Sequence, residues 1–182
     1  MNIEEALEFV RKHVSNENLV KHMIAVSEIM GAIAERLRED GELWKVVGLL
    51  HDVDYERTKD NFDEHGKISA EMLRDFLPEE ALHAILSHNE RTGVKPKSKM
   101  DFSLIVSDAL SGLIIATALV MPNKKLDEVK VESLLKKFKD KSFARNVERN
   151  RILMARELGL ELEEVMEIGL KALQGISNEL GL

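Results

Sequence analysis

Apolar residues recur at helical spacing along almost the whole chain. Ile3, Leu7 and Val10 share one face of a short first helix. Ser15-Asn16-Glu17-Asn18 offers capping residues for a second, expected from about Leu19 to Arg38, with Ile24, Ile29, Ile33 and Leu37 among its apolar positions. Asp40-Gly41 breaks the pattern. A third helix is expected from Glu42 to about Asp52, and its end, Val46-Val47-Gly48-Leu49-Leu50, is apolar all round and so predicted to be buried. Val53 to Asp63 reads as charged and irregular. Helices follow over Gly66 to Phe76 and from Leu77-Pro78-Glu79-Glu80, whose acids suit a first turn, to near His88. Arg91 to Lys99 is a basic connector holding Gly93 and Pro96. The last third, about Asp127 to Leu180, reads as three more amphipathic helices.

Phe102 to Met121 is nearly all apolar or small, and long enough to cross a bilayer. It carries one charge, Asp108, flanked by Ser107 and Ser111. A carboxylate near the middle of a lone span is costly. The remaining helices are amphipathic and need something to pack around, so a buried central helix is expected. The expected fold is all-α, a compact helical bundle around that helix, forming a single domain over 1–182 without internal repeats.

Composition narrows the chemistry. The 182 residues contain no Cys, which excludes disulfides, zinc-thiolate sites and thiol nucleophiles. Any metal site must use His and carboxylates. A net charge of -7 counts against duplex nucleic acid as a partner. The acidic start, Met1-Asn2-Ile3-Glu4-Glu5, does not resemble a signal peptide, so a cytoplasmic protein with no membrane partner is expected.

Of six His, the pair His51-Asp52 stands out by context: an apolar helix end runs straight into two polar side chains. Burying both is expensive unless something pairs with them, and a divalent cation accepts neutral imidazole and ionised carboxylate together. His22 on the second helix, His65 before the next, His88 at the end of the one after Pro78, and Asp108 in the buried helix are further potential ligands. No strand-to-helix nucleophile elbow supports a Ser-His-Asp triad. His13 and His83 read as structural or exposed.

The order His22, His51-Asp52, Asp108 resembles the signature of the HD-domain superfamily of metal-dependent phosphohydrolases. His65 in HGKISA and His88 in SHNE resemble its two-metal branch. The resemblance covers roughly Leu19 to Met121, with 127–182 as a C-terminal helical extension. It implies that His22, His51, Asp52 and Asp108 hold one divalent ion (Fe, Mn, Ni, Co or Mg). Asp52 would bridge to a second, completed by His65 and His88. It also implies a metal-activated hydroxide attacking a phosphate ester or anhydride of a small phosphorylated molecule, of nucleotide or dinucleotide type. Asp52 would then serve catalysis directly, while Asp54 and Glu56 read either as a proton relay or a support for the ligands, or equally as part of an exposed acidic loop. Several two-metal relatives carry Lys three residues after the Asp of the pair. Tyr55 stands there in this chain, leaving Arg57 or Lys59 to reach phosphate. No GYP motif follows, which argues against the cyclic-di-GMP branch.

Two cationic segments are further candidates for phosphate contact. Lys136 to Arg151 holds seven cations against Asp140 and Glu148, with Lys139, Ser142 and Arg145 singled out. Arg91, Lys95 and Lys97 follow His88 directly. A solvated helix face is the preferred reading of the first segment. Two other functions use the same signature: a diiron oxygenase, and a non-catalytic nucleotide sensor. Sequence leaves the oligomeric state and the native metal open.

Overall fold

In the computed structural model, which describes residues 1–182, the sequence breaks coincide with capped helix ends. Asn2 forms a reciprocal capping box with Glu5 at the start of α1 (Ile3–His13). The Asn16 side chain accepts from Asn18 and Leu19 N–H to open α2 (Glu17–Leu37). Asp40, the break residue, accepts from Leu43 N–H and so starts α3 (Gly41–Leu50). The charged stretch after it contains one turn, α4 (Tyr55–Thr58). α5 (Lys67–Leu73) and α6 (Glu79–Ser87) follow. Ser98 and Asp101 build a second capping box for α7 (Lys99–Leu119). α8 (Val131–Lys139), α9 (Arg149–Leu153), α10 (Leu162–Gly175) and α11 (Ser177–Leu180) complete the chain, which contains no strand.

The fold is the all-α bundle that the periodicity predicts. α7 lies at its centre, against α2, α6, α8, α9 and α10. It is long and apolar enough to cross a membrane, yet 67% of its most apolar window is buried within the protein. Met23, Ile29, Met30 and Ile33 of α2 interleave with Leu104, Leu110, Leu113 and Ile114 of α7 in one core cluster. Each such side chain contributes about 1.5–3 kcal/mol on full burial.

α2 and α3 share the most extensive helix contact, and Gly48 lets the two backbones meet there. A Cβ at Gly48 would stand 2.8 Å from the Ser27 Cα and 2.9 Å from its nitrogen. The Ser27 hydroxyl then donates to the Lys45 carbonyl at 2.7 Å. This contact sets α3, and therefore His51 at its end, against α2.

The C-terminal third departs from three regular helices. Between Lys139 and Arg149 the chain is irregular, and Ala144 takes a left-handed φ of 45°. The Arg149 guanidinium organises this stretch by donating to the carbonyls of Lys137, Phe138, Asp140, Phe143, Ala144 and Val147. A guanidinium has five N–H donors in a planar fork and can satisfy carbonyls that a helix would otherwise pair. α9 is short and continues as a 3-10 turn over Met154–Leu158.

Two outcomes test these contacts. Gly48→Ala should destabilise the fold by about 1–3 kcal/mol, because backbone atoms must shift to admit the methyl; urea unfolding measures it. The second concerns Glu56, whose carboxylate accepts from Ser15 N–H (3.0 Å), Asn16 N–H (2.8 Å) and the Ser15 hydroxyl (2.9 Å). These bonds, the Ser15 N–H first, lower its pKa, so their stabilisation is complete above the ordinary Glu value and fades as pH falls through the folded one. Glu56→Gln should therefore be slightly less stable than the parent at neutral pH. The difference should vanish in acid unfolding at low pH.

Candidate metal centre

Five segments deliver six side chains to one place. His22 comes from the first turns of α2, and His51-Asp52 from the turn that ends α3. His65 stands just before α5, His88 caps the end of α6, and Asp108 lies mid-way along α7. Asp52 is central. Its Oδ1 is 3.3 Å from His51 Nε2, 3.2 Å from His65 Nε2 and 3.4 Å from His88 Nε2. Its Oδ2 is 3.7 Å from His22 Nε2, which in turn lies 3.1 Å from Asp108 Oδ1.

The outward nitrogens fix which atoms point in. His51 Nδ1 is 2.8 Å from the Gly48 carbonyl, and His88 Nδ1 is bonded to the Ile85 carbonyl. Carbonyls only accept, so both rings carry their proton on Nδ1 and turn an Nε2 lone pair inward. His65 Nδ1 lies 2.7 Å from Asp54 Oδ1, with the same consequence. His22 Nδ1 lies 3.3 Å from the Ser111 hydroxyl.

Asp54 is fully buried and does not line the cavity. Besides His65, it accepts from Gly66 N–H and Ser69 N–H at 2.8 Å each, capping α5 from a distant part of the chain. Gly66 needs its φ of 87° for that turn, where a Cβ would press on the Ile85 carbonyl at 3.0 Å.

The donor set fits a divalent cation. His51 Nε2 is buried and has no hydrogen-bond partner. His65 Nε2 and His88 Nε2 are 3.0 Å apart, and two lone pairs that close repel unless a proton or cation lies between them. His22, His51 and Asp108 form one candidate metal cluster, and His51, Asp52 and His88 a second. Imidazole and carboxylate atoms spaced this way suit bonds of about 2.0–2.2 Å to a transition ion.

Burial lowers the His51 pKa to about 4 despite Asp52, so its nitrogen is unprotonated at neutral pH. His65 shows the opposite balance: burial opposes its charge, but hydrogen bonds to Asp52 and Asp54 raise it to about 9, so its Nε2 holds a proton that a bound cation would displace to reach the lone pair. Burial likewise opposes charge on Asp52 and Asp108, yet the surrounding His51, His65, His88 and His22 hold both well below the usual carboxylate range.

A cavity of about 430 Å³ reaches the cluster at His65, His88 and Asp108, and is lined also by Phe62, Arg91 and Arg151 among others. Of the proposed phosphate contacts, only Arg91 lines it. Arg57 is exposed beside Met72, and Lys59 is exposed on the same turn. Lys139 and Arg145 are also exposed and lie outside the cavity, because the irregular 140–148 stretch turns that part of the basic segment outward. The cation that does arrive from that segment is Arg151, which donates to Asp108 Oδ2 at 3.0 Å and to the His88 carbonyl at 2.9 Å. Sequence reasoning counted Arg151 among seven cations without singling it out; its one local signal is the buried Ile152 beside it. It also missed Asn89, whose amide donates to the Phe62 and His65 carbonyls.

Residues 19–164 match the HD domain family. The chain belongs to the HD-domain family. The match runs beyond the expected end at Met121 through α8 and α9, the elements that bring Arg151 to Asp108. An uncharacterized protein of Methanocaldococcus jannaschii is 32% identical over 149 residues, which are 76% of this chain and 85% of that one. Ribonuclease Y of Lawsonia intracellularis is 35% identical over 97 residues, 53% of this chain but only 18% of the ribonuclease. The HD domain of the phosphodiesterase PgpH from L. monocytogenes superposes with a TM-score of 0.58 at 15% identity, covering 97% of this chain and 99% of that domain. This HD-domain chain thus has the fold of the metal-dependent phosphohydrolases and is a divalent-metal-dependent hydrolase.

Two variants probe the centre. Asp54→Asn weakens the grip on His65 and should cost about 10–100-fold in metal affinity or activity, the usual effect of losing such a support; metal titration reads it. Asp108→Asn and His88→Ala should each lower the metal content of purified protein, the first through the His22 cluster and the second through the Asp52 cluster. Elemental analysis per chain checks this, and full metal content in both variants would contradict the ligand assignment.

Proposed function

We propose that the protein hydrolyses a phosphate ester or anhydride of a small phosphorylated molecule of nucleotide type. The observation that carries this reading is the convergence of His22, His51, Asp52, His65, His88 and Asp108 in one cluster that contains a buried, unpartnered His51 Nε2 and meets the cavity through His65, His88 and Asp108. In the reading these six residues are the metal ligands, and Asp52 touches both clusters. Bound divalent ions would supply Lewis-acid polarisation of the phosphoryl group and a water of lowered pKa. Asp54 holds His65 in place and is a positioning residue. Arg91 and Arg151 are the cations able to attract and orient a phosphate, with Arg151 already fixed beside Asp108.

The names of two relatives, a ribonuclease and a phosphodiesterase, favour phosphate-ester cleavage over an oxygenase reaction. The ribonuclease Y likeness also favours a second reading, single-stranded RNA as substrate. Duplex nucleic acid fits poorly with a chain of net charge -7.

The test is a panel of nucleotides, dinucleotides, simple phosphate esters and short single-stranded RNA, each assayed with added Mn or Mg under anaerobic conditions and separately with added Fe in air. Release of phosphate or nucleotide is expected with a redox-inert metal, and Asp52→Asn should reduce it by at least about 100-fold, or about 2.7 kcal/mol of barrier. Turnover that requires both iron and oxygen would replace the hydrolase reading by the oxygenase one. Cleavage confined to RNA would select the second substrate class.

A further inference from the structure

A second cavity, of about 320 Å³, lies next to the metal cavity, and the two share Glu90 and Arg151 as lining residues. Its other walls differ in character. Val94, Pro96, Ile105 and Met154 make an apolar surface, with Lys95 beside it. Lys95 and Glu90 are exposed, and their side chains make no hydrogen bond or ion pair within the protein. Arg151, by contrast, is pinned at the boundary by Asp108 and the His88 carbonyl. An apolar cavity with a few convergent polar groups is the usual form of a small-molecule site.

We propose that this second cavity is a subsite for the organic group attached to the phosphate, and that it takes a nucleobase-like heterocycle. The assignment rests on the reading of the metal cavity as a phosphate site. The shared wall allows one molecule to occupy both: its anionic part beside Arg151 and the metal ligands, its organic part against Ile105 and Met154. A purely aliphatic group would leave the polar groups of Glu90 and Lys95 unused. A second phosphate could meet Lys95, but it would also lie against four apolar side chains and the Glu90 carboxylate, with Arg151 already bonded to Asp108. A flat heterocycle packs on the Met154 thioether and the Pro96 ring, while donors and acceptors on its edge meet Glu90 and Lys95. The connector between α6 and α7 therefore carries specificity, and Val94, on it, is the position from which the cavity can be filled without touching the metal ligands.

Nucleosides without phosphate test the subsite separately from any turnover. The full-length protein, as purified, is labelled at Ile and Met methyl groups and titrated with adenosine, guanosine, cytidine and uridine. At least one nucleoside should shift the Ile105 and Met154 resonances at millimolar concentration. Val94→Trp should weaken that binding by about tenfold or more, about 1.4 kcal/mol. Glu90→Ala, at an exposed position, provides a second variant should the Trp disturb folding, and should weaken it as well. Absence of Ile105 and Met154 shifts with all four nucleosides overturns the proposal, as does binding that neither variant reduces. Loss of phosphate-ester hydrolysis alone would bear on the metal-site reading, since nucleoside binding here requires no chemistry.

Discussion

Four imidazole nitrogens and two carboxylates crowd into one poorly solvated pocket, and the electrostatics of that crowding constrains everything around it. Asp52 alone has three His Nε2 atoms within 3.4 Å of one oxygen. Such a cluster holds together only if each ring is oriented from behind. The protein does this with backbone carbonyls at Gly48 and Ile85, with the Asp54 carboxylate, and with the Ser111 hydroxyl. Much of the local backbone serves the same end. The α3 terminus supplies its own acceptor for His51, the α6 terminus does so for His88, and the Gly66 turn brings α5 onto Asp54.

The supporting groups are therefore as specific as the ligands. Asp54 combines a helix-capping role with control of the His65 ring, so its burial is compensated by three hydrogen bonds. Asp108 is compensated differently. It has His22 on one oxygen and Arg151 on the other, so the charge in the apolar α7 is balanced partly from α9, far along the chain. Arg149, two residues earlier, spends its donors on carbonyls of the irregular 140–148 stretch and so holds the path that delivers Arg151. The C-terminal third is thus part of the site, in keeping with a family match that reaches residue 164.

The basic segment shows how charge counting misleads when position is unknown. Its seven cations look equivalent in sequence, yet they divide by environment: Arg149 binds carbonyls, Arg151 reaches the ligands, and Lys139 and Arg145 stay in solvent. The helix periodicity of Lys136 to Lys139 holds, but nothing local indicates that the next turn is replaced by a guanidinium-centred loop. Six carbonyls gathered around the five N–H donors of one side chain are a tertiary solution to a backbone problem.

The sequence by itself determined the helical class, the cap within Ser15 to Asn18, the break at Asp40-Gly41, the burial of α7, and the residues able to ligate a metal. These follow from periodicity, from side chains that bond their own neighbouring backbone, and from chemistry intrinsic to His and Asp. Tertiary structure alone decided that Asp54 supports rather than borders the cavity, that Arg151 rather than Lys139 or Arg145 stands at the site, and that a second cavity adjoins the first. Each of these depends on which elements meet across long separations, as α9 meets α7 and the connector after α6 meets Met154. Local spacing carries no record of such meetings, because they are set by how whole helix faces pack once the core has closed.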